Sequence, residues 1–213
     1  MSDTQDDHLI PSQNRSELLL SAAVAAFGNY GYTGASLREI ARHAGSSLTL
    51  ISHHYGSKGT LLAAAIDKFH QAGTGHLAAL TAAIDSIPTL RIPTLIEAWV
   101  RYAVALYGHG PGLPYLRLLL RLKTDPAVDA GVRQILDPAE PTVRKALNRL
   151  RPESATETVD LAWEASSAAL YCSIARCADA KLSVIERDRR QAALEAYLAA
   201  ALNSLFEEAR SLI

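Results

Sequence analysis

The chain has 213 residues, of which 49% are hydrophobic, 20% charged and 6% aromatic; this excludes a disordered polypeptide and allows one domain or two small ones. No apolar run approaches the ~20 residues of a membrane helix, because residues 18–27 are too few and residues 113–122 are cut by Arg117 and Arg121. A formal net charge of −1 argues against a generally basic nucleic-acid binder.

The charge is unevenly spread. Residues 1–13 carry acids and no base, and the acidic, polar run 1–8 is the opposite of a signal peptide. Residues 14–60 set Arg15, Arg38, Arg42 and Lys58 against Glu17 and Glu39, a mildly basic unit ahead of a balanced remainder. The two cysteines, Cys172 and Cys177, fit neither a C-x-x-C motif nor a disulfide framework, so a reducing, cytoplasmic setting is the expectation.

Alanine and leucine dominate and apolar residues recur at three and four, which reads as all-α throughout. A first helix is expected over residues 12–29, with Leu19, Ala22, Ala23, Ala26, Phe27 and Tyr30 on one face and Gly31 as its stop. Ser36-Leu37-Arg38-Glu39 has the form of a capping box, and the helix it opens closes at Ala44-Gly45. Ser46 or Ser47 caps a third short helix ending near His54, and Ser57 caps a fourth through Leu61, Leu62, Ala65, Ile66 and Phe69. Gly73 and Gly75 are expected to bend or split that helix before residues 76–85. Pro88 and Pro93 frame the next, to about Tyr107, and residues 108–114 form a glycine- and proline-rich loop. A helix to about Lys123 follows. Pro138 and Pro141 leave two shorter helices or one kinked one, and two long helices over 152–180 and 184–212 finish the chain.

Two short helices joined by a glycine-containing turn, with a helix behind them, make a helix-turn-helix plan. In residues 36–54, Ile40 and Ala41 pack inward, Gly45 permits the turn, and Leu50 and Ile51 face the first helix. That leaves Leu48, Thr49, Ser52 and His53 for a major groove. Lys58, at a helix N-terminus, has the chemistry of a phosphate contact.

On these residues the chain resembles the DNA-binding domain of the TetR family of transcriptional regulators, over residues 15–62. The matching string is Arg15, Leu19, Ala22-Ala23, Phe27, Gly31-Tyr32, Ser36-Leu37-Arg38-Glu39-Ile40-Ala41, Ala44-Gly45-Ser46-Ser47, His54-Tyr55-Gly56-Ser57-Lys58 and Leu61-Leu62. It departs from the usual family pattern at Ser46, Ser52, Tyr55 and Gly59, where valine, tyrosine, phenylalanine and glutamate are usual. The resemblance implies DNA contact from Ser36, Arg38, Ser47, Leu48, Thr49, Ser52, His53, His54, Tyr55 and Lys58. It further implies a helix-turn-helix domain at 12–58 and a larger helical ligand-binding and dimerisation domain at 59–213.

In the body, Trp99 and Tyr102 lie three apart on one helical face, where aromatics line a cavity or fill core. With Arg117 and Arg121 at a polar end, they are the expected ligand-binding residues; four-apart arginines also form solvated faces. Small residues recur at Ala165, Ala169 and Cys172, and Leu198, Leu202 and Leu205 continue an apolar stripe, so these are the expected dimer contacts. Neither metal-ligand spacing nor a catalytic constellation is found, and no cofactor is expected.

The expected function is therefore a ligand-responsive homodimeric regulator, a repressor in most of the family. Its expected partners are double-stranded DNA, an unidentified small-molecule effector and a second copy, with no membrane. A helical interaction module or a non-DNA ligand-binding protein on the same scaffold is the rival, and salt-dependent DNA binding separates them.

Overall fold

The computed structural model describes residues 12–108, 110–180 and 182–211, so the acidic run at 1–8 lies outside the described residues. Ten helices succeed one another among them: α1 (Ser12–Gly34), α2 (Leu37–His43), α3 (Leu48–Tyr55), α4 (Lys58–Asp85), α5 (Ile92–Tyr107), α6 (Gly112–Thr124), α7 (Ala130–Gln134), α8 (Glu140–Leu150), α9 (Thr156–Asp179) and α10 (Val184–Ser211). The described residues contain no strand.

The punctuation of the first four helices follows from single residues. Gly31, at φ 72°, breaks the helical run of α1 where only glycine adopts that backbone cheaply. The Ser47 hydroxyl accepts the Leu50 N–H at 3.1 Å, and the Ser57 hydroxyl accepts the Thr60 N–H at 3.1 Å, so both serines cap the helices they precede. Ser36 occupies the cap position of α2 with extended backbone, but its hydroxyl makes no capping bond. The expected capping box therefore does not form; Ser36 carbonyl hydrogen bonding to the Ile40 N–H opens the helix instead.

The expected break at Gly73 and Gly75 is absent, and α4 runs through both for 28 residues. Gly73 serves packing: a Cβ there would sit 3.0 Å from Leu106 Cδ1, so glycine lets α4 approach α5. Gly75 has no heavy atom within 4 Å of such a Cβ, and its propensity cost of about 1 kcal/mol is too small to end a packed helix. Pro141 falls in the first turn of α8, where a missing N–H costs nothing, so the proline region yields two helices, α7 and α8.

Leu19, Ala23, Phe27, Ile40, Ile51, Leu61 and Leu62 form the core of the N-terminal head. Trp99, Tyr107, Tyr115, Leu119, Trp163, Tyr171, Leu198 and Phe206 anchor the body. Both sets belong to one continuous core, bridged by α1, which packs on both α4 and α6. Gly28 makes the second contact close, because a Cβ on it would lie 2.9 Å from the Pro114 carbonyl oxygen and 3.2 Å from the Leu118 nitrogen.

Candidate nucleic-acid interface

Helices α2 and α3 meet through Gly45, whose φ of 60° turns the chain between them. Ile40 and Ala41 of α2 and Ile51 of α3 are buried, which fixes the inner side of the pair. The opposite side of α3 is exposed at Leu48, Thr49, Ser52, His53 and His54. Leu50 is also exposed, at 40%, so the expectation that it faces the first helix is corrected; Ile51 alone of that pair fills the core. On an eight-residue helix these outward side chains present hydroxyls, two imidazoles and aliphatic groups, chemistry that reads base edges and thymine methyls.

The histidines are coupled to one another. Their rings meet edge to face with centroids 5.2 Å apart, and His54 in turn lies 6.5 Å from the ring of Tyr55. Tyr55 is half-buried, with its hydroxyl 3.4 Å from that of Ser16, so it ties the end of α3 to α1. Ser47 spends an acceptor lone pair on its helix cap. Arg38 is exposed at the start of α2, and Ser36 is half-buried beside it.

Lys58 is engaged within its own chain. Its ammonium donates to the Ala35 carbonyl at 2.9 Å and the Thr33 carbonyl at 3.2 Å, and it lies 4.9 Å from the Tyr32 ring centroid. Two of its three N–H donors are thereby spent on carbonyls of its own chain, which leaves one for the expected phosphate contact. In this structure Lys58 is a strap that closes the α1–α2 connection onto α4. The sequence showed a lysine at a helix start; that its stem bends back over 23 residues was invisible.

A second pairing on the same surface was missed. His43 Nδ1–H donates to the Glu39 carbonyl at 2.8 Å, leaving Nε2 as the acceptor for Arg42, at 3.3 Å. The exposed Arg42 guanidinium is thereby held at the end of α2, near the turn. Counting it among the basic residues of the head was the available signal.

In the body, the expected ligand residues fall apart. Trp99 is 1% exposed and stacks on Trp163 at 5.0 Å, and Tyr102 is buried with its ring 6.4 Å from that of Tyr107; both fill core. Arg117 lies on the α1 side of α6, its Cβ facing Gly28, and Arg121 is exposed. A cleft of about 610 Å³ lies instead between α1, α4, α5 and the start of α6, and none of these four lines it.

The expected dimer residues divide as well. Ala165 and Cys172 are exposed and Ala169 half-buried, but Leu198 and Leu202 are buried in their own chain and Leu205 is half-buried. The stripe on α10 was wide because it packs on α5 and α9. What it leaves outside, together with α9, is Leu161, Ala165, Ala168 and Cys172, spaced at four, three and four, and Tyr197 at 62% exposure.

One buried polar group escaped the sequence reading. Asp137, wholly enclosed in the link between α7 and α8, stands 3.7 Å from the Lys123 ammonium and accepts the Ala139 N–H at 3.1 Å. Burial raises its carboxyl above the ordinary 3.8, with the Lys123 charge opposing the rise. Around it, burial first and the Asp137 charge second push the Tyr107 and Tyr115 phenols upward. Tyr115 donates to the Leu136 carbonyl at 2.7 Å and so accepts from His70 Nε2–H at 2.9 Å. Desolvation lowers the His70 pKa. A lone aspartate before a proline carried no sequence signal for this role.

Residues 19–65 match the model of bacterial regulatory proteins, tetR family. No curated protein matches the chain. Among solved structures, a TetR-like transcriptional regulator from Rhodococcus sp. RHA1 is 22% identical, with a TM-score of 0.65 over 91% of this chain and 98% of that one. A protein assigned as a transcriptional regulator from Pseudomonas aeruginosa PAO1 is 23% identical, with a TM-score of 0.58 over 95% of this chain and 96% of that one. At these identities the likeness speaks for the fold.

Proposed function

From the match of residues 19–65 to the model of bacterial regulatory proteins, tetR family, we propose that this chain is a homodimeric repressor of that family, released from a palindromic operator by a small molecule. In this reading residues 12–58 carry the DNA contacts and residues 59–213 the effector and dimer contacts. The observation that supports it is the exposed face of α3, where Thr49, Ser52, His53 and His54 stand outward while Ile51 fixes the helix from behind. Arg38 and Arg42 on α2 supply positive charge for the flanking phosphates. A dimer then reads two half-sites about one helical turn, ~34 Å, apart.

The dimer surface of this reading is the outer face of α9 and α10, on Leu161, Ala165, Ala168, Cys172 and Tyr197. Small residues permit close helix approach, and the two-fold pairing of two helices from each subunit gives a four-helix bundle. An effector that binds the two states of the dimer unequally shifts it away from the spacing the operator requires.

Selection of bound sequences from random duplex DNA by the purified protein tests the proposal. An enriched motif with two-fold symmetry is the expected result. His53→Ala is expected to change the preferred base at one position of each half-site, at a cost of roughly 1–3 kcal/mol. Absence of any enriched sequence, with binding that does not weaken as salt rises, would favour the interaction module instead.

A further inference from the structure

The cleft between head and body has a composition that sets it apart from the packed aromatic core. Its volume, about 610 Å³, falls in the range of small-molecule sites. Leu20 and Val24 of α1, Phe69 of α4, Leu106 of α5 and Pro114 of α6 give it apolar walls. Its two formal charges, Glu17 and Lys68, are spent on each other at 2.9 Å. Both side chains are about half exposed, so the pair is weak and faces water, and what a charged occupant lacks is a buried counter-ion among the apolar walls. An uncharged one meets no such obstacle, and the Ser21 hydroxyl and His76 imidazole at the lining offer it hydrogen bonds.

The walls of the cleft come from both ends of the molecule. Leu20 and Val24 belong to the helix that backs the helix-turn-helix, whereas Leu106 and Pro114 belong to the body. Pro114 also lies directly under Gly28, where α1 and α6 approach backbone to side-chain distance. A molecule in the cleft therefore touches the same turn of α6 that seats α1, and filling the cleft bears on the angle of the head.

We infer that this cleft is a binding site for an uncharged, predominantly apolar small molecule, and that its occupancy is coupled to DNA binding through α1. The coupling rests on the proposed reading of the chain as an effector-released regulator; the site and its ligand class do not.

Two fluorescent probes that differ by one sulfonate test it: N-phenyl-1-naphthylamine, which is neutral, and 8-anilinonaphthalene-1-sulfonate. The full chain is expected to bind the neutral probe at least about ten-fold more tightly. Ala72→Phe, which places a ring in the cleft from the exposed side of α4, is expected to abolish that binding, and Ala79→Phe on the same helix outside the cleft to preserve it. Circular dichroism of both variants establishes that they are folded. Unchanged binding by a folded Ala72→Phe variant overturns the site, and equal or tighter binding of the sulfonate overturns the ligand class. With the selected operator, saturating neutral probe is expected to lower DNA affinity in the wild type and not in Ala72→Phe. Unaltered DNA affinity despite cleft-dependent probe binding overturns the coupling. A protein that binds probe in the cleft but selects no DNA sequence overturns the regulator reading while the site stands.

Discussion

Lys58 and Asp137 show how one charged side chain can be structural where sequence position hints at function. Lys58 is half-buried and makes two charge-assisted hydrogen bonds to carbonyls that would otherwise lack this partner. Lys58→Ala is therefore expected to lower stability by about 1–2 kcal/mol, read as a lower midpoint in thermal or urea denaturation. The salt dependence of DNA affinity should stay within error of the wild type; a slope reduced by one counterion would restore the phosphate contact. Asp137 works the other way. Its folded pKa is raised, so its contribution to stability is fully present below the ordinary carboxylate value of 3.8 and is lost as pH rises through the folded value. Asp137→Asn keeps an acceptor for the Ala139 N–H and removes the buried charge. Although Lys123 loses its carboxylate partner, the variant is expected to gain on the wild type as pH rises above 3.8, with the difference shrinking in acid. His70, whose pKa is lowered, penalises acid in both proteins and cancels from that comparison. Denaturation curves at several pH values measure the difference directly.

At the scale of elements, glycine serves two separate purposes in this chain, and local sequence distinguishes only one of them. Gly31 and Gly45 provide positive φ at helix ends and were readable as stops. Gly28 and Gly73 give room to a neighbouring helix, a demand set by residues far along the chain. Gly28→Ala is expected to destabilise by about 1–2 kcal/mol, because overpacking against the Pro114 carbonyl outweighs the helix propensity gained. Gly75→Ala, which meets nothing within 4 Å, is expected to stabilise by about 0.5–1 kcal/mol; thermal denaturation of the two variants checks both signs. The same divide runs through the rest of the reading. Caps at Ser47 and Ser57, the turn at Gly45 and the burial of Ile40, Ala41 and Ile51 depend on neighbours within a few residues, and all were legible. Which partner the apolar face of α10 takes depends on tertiary packing, so Leu198 and Leu202 were assigned outward when they face α5 and α9. Trp99 and Tyr102 were open to either lining a void or filling one, and only the stacked Trp163 decides the matter.

For the whole molecule, the division of α9 and α10 into inner and outer faces makes the proposed dimer testable without unfolding the chain. Ala168→Arg, on the exposed side of α9, is expected to give a monomer that keeps its helix content and loses operator affinity. Leu202→Arg, 2% exposed, should instead unfold or aggregate, since an unpaired charge would enter the core. Sedimentation velocity and circular dichroism separate these outcomes, and a wild type that sediments as a monomer at micromolar concentration would remove the dimer. The uninterrupted course of α4 has one further geometric effect. With 28 residues at about 1.5 Å each, it is a rod of roughly 42 Å with one end next to α3 and the other in the body, beside α8 through Asp85 and Arg149. A stiff rod magnifies angle into distance: tilting it by about 5° at the body end sweeps the other end through about 4 Å, on the order of the 3.4 Å step between stacked base pairs. In the proposed two-fold assembly both rods would swing, and the two displacements would add to some two steps of the duplex.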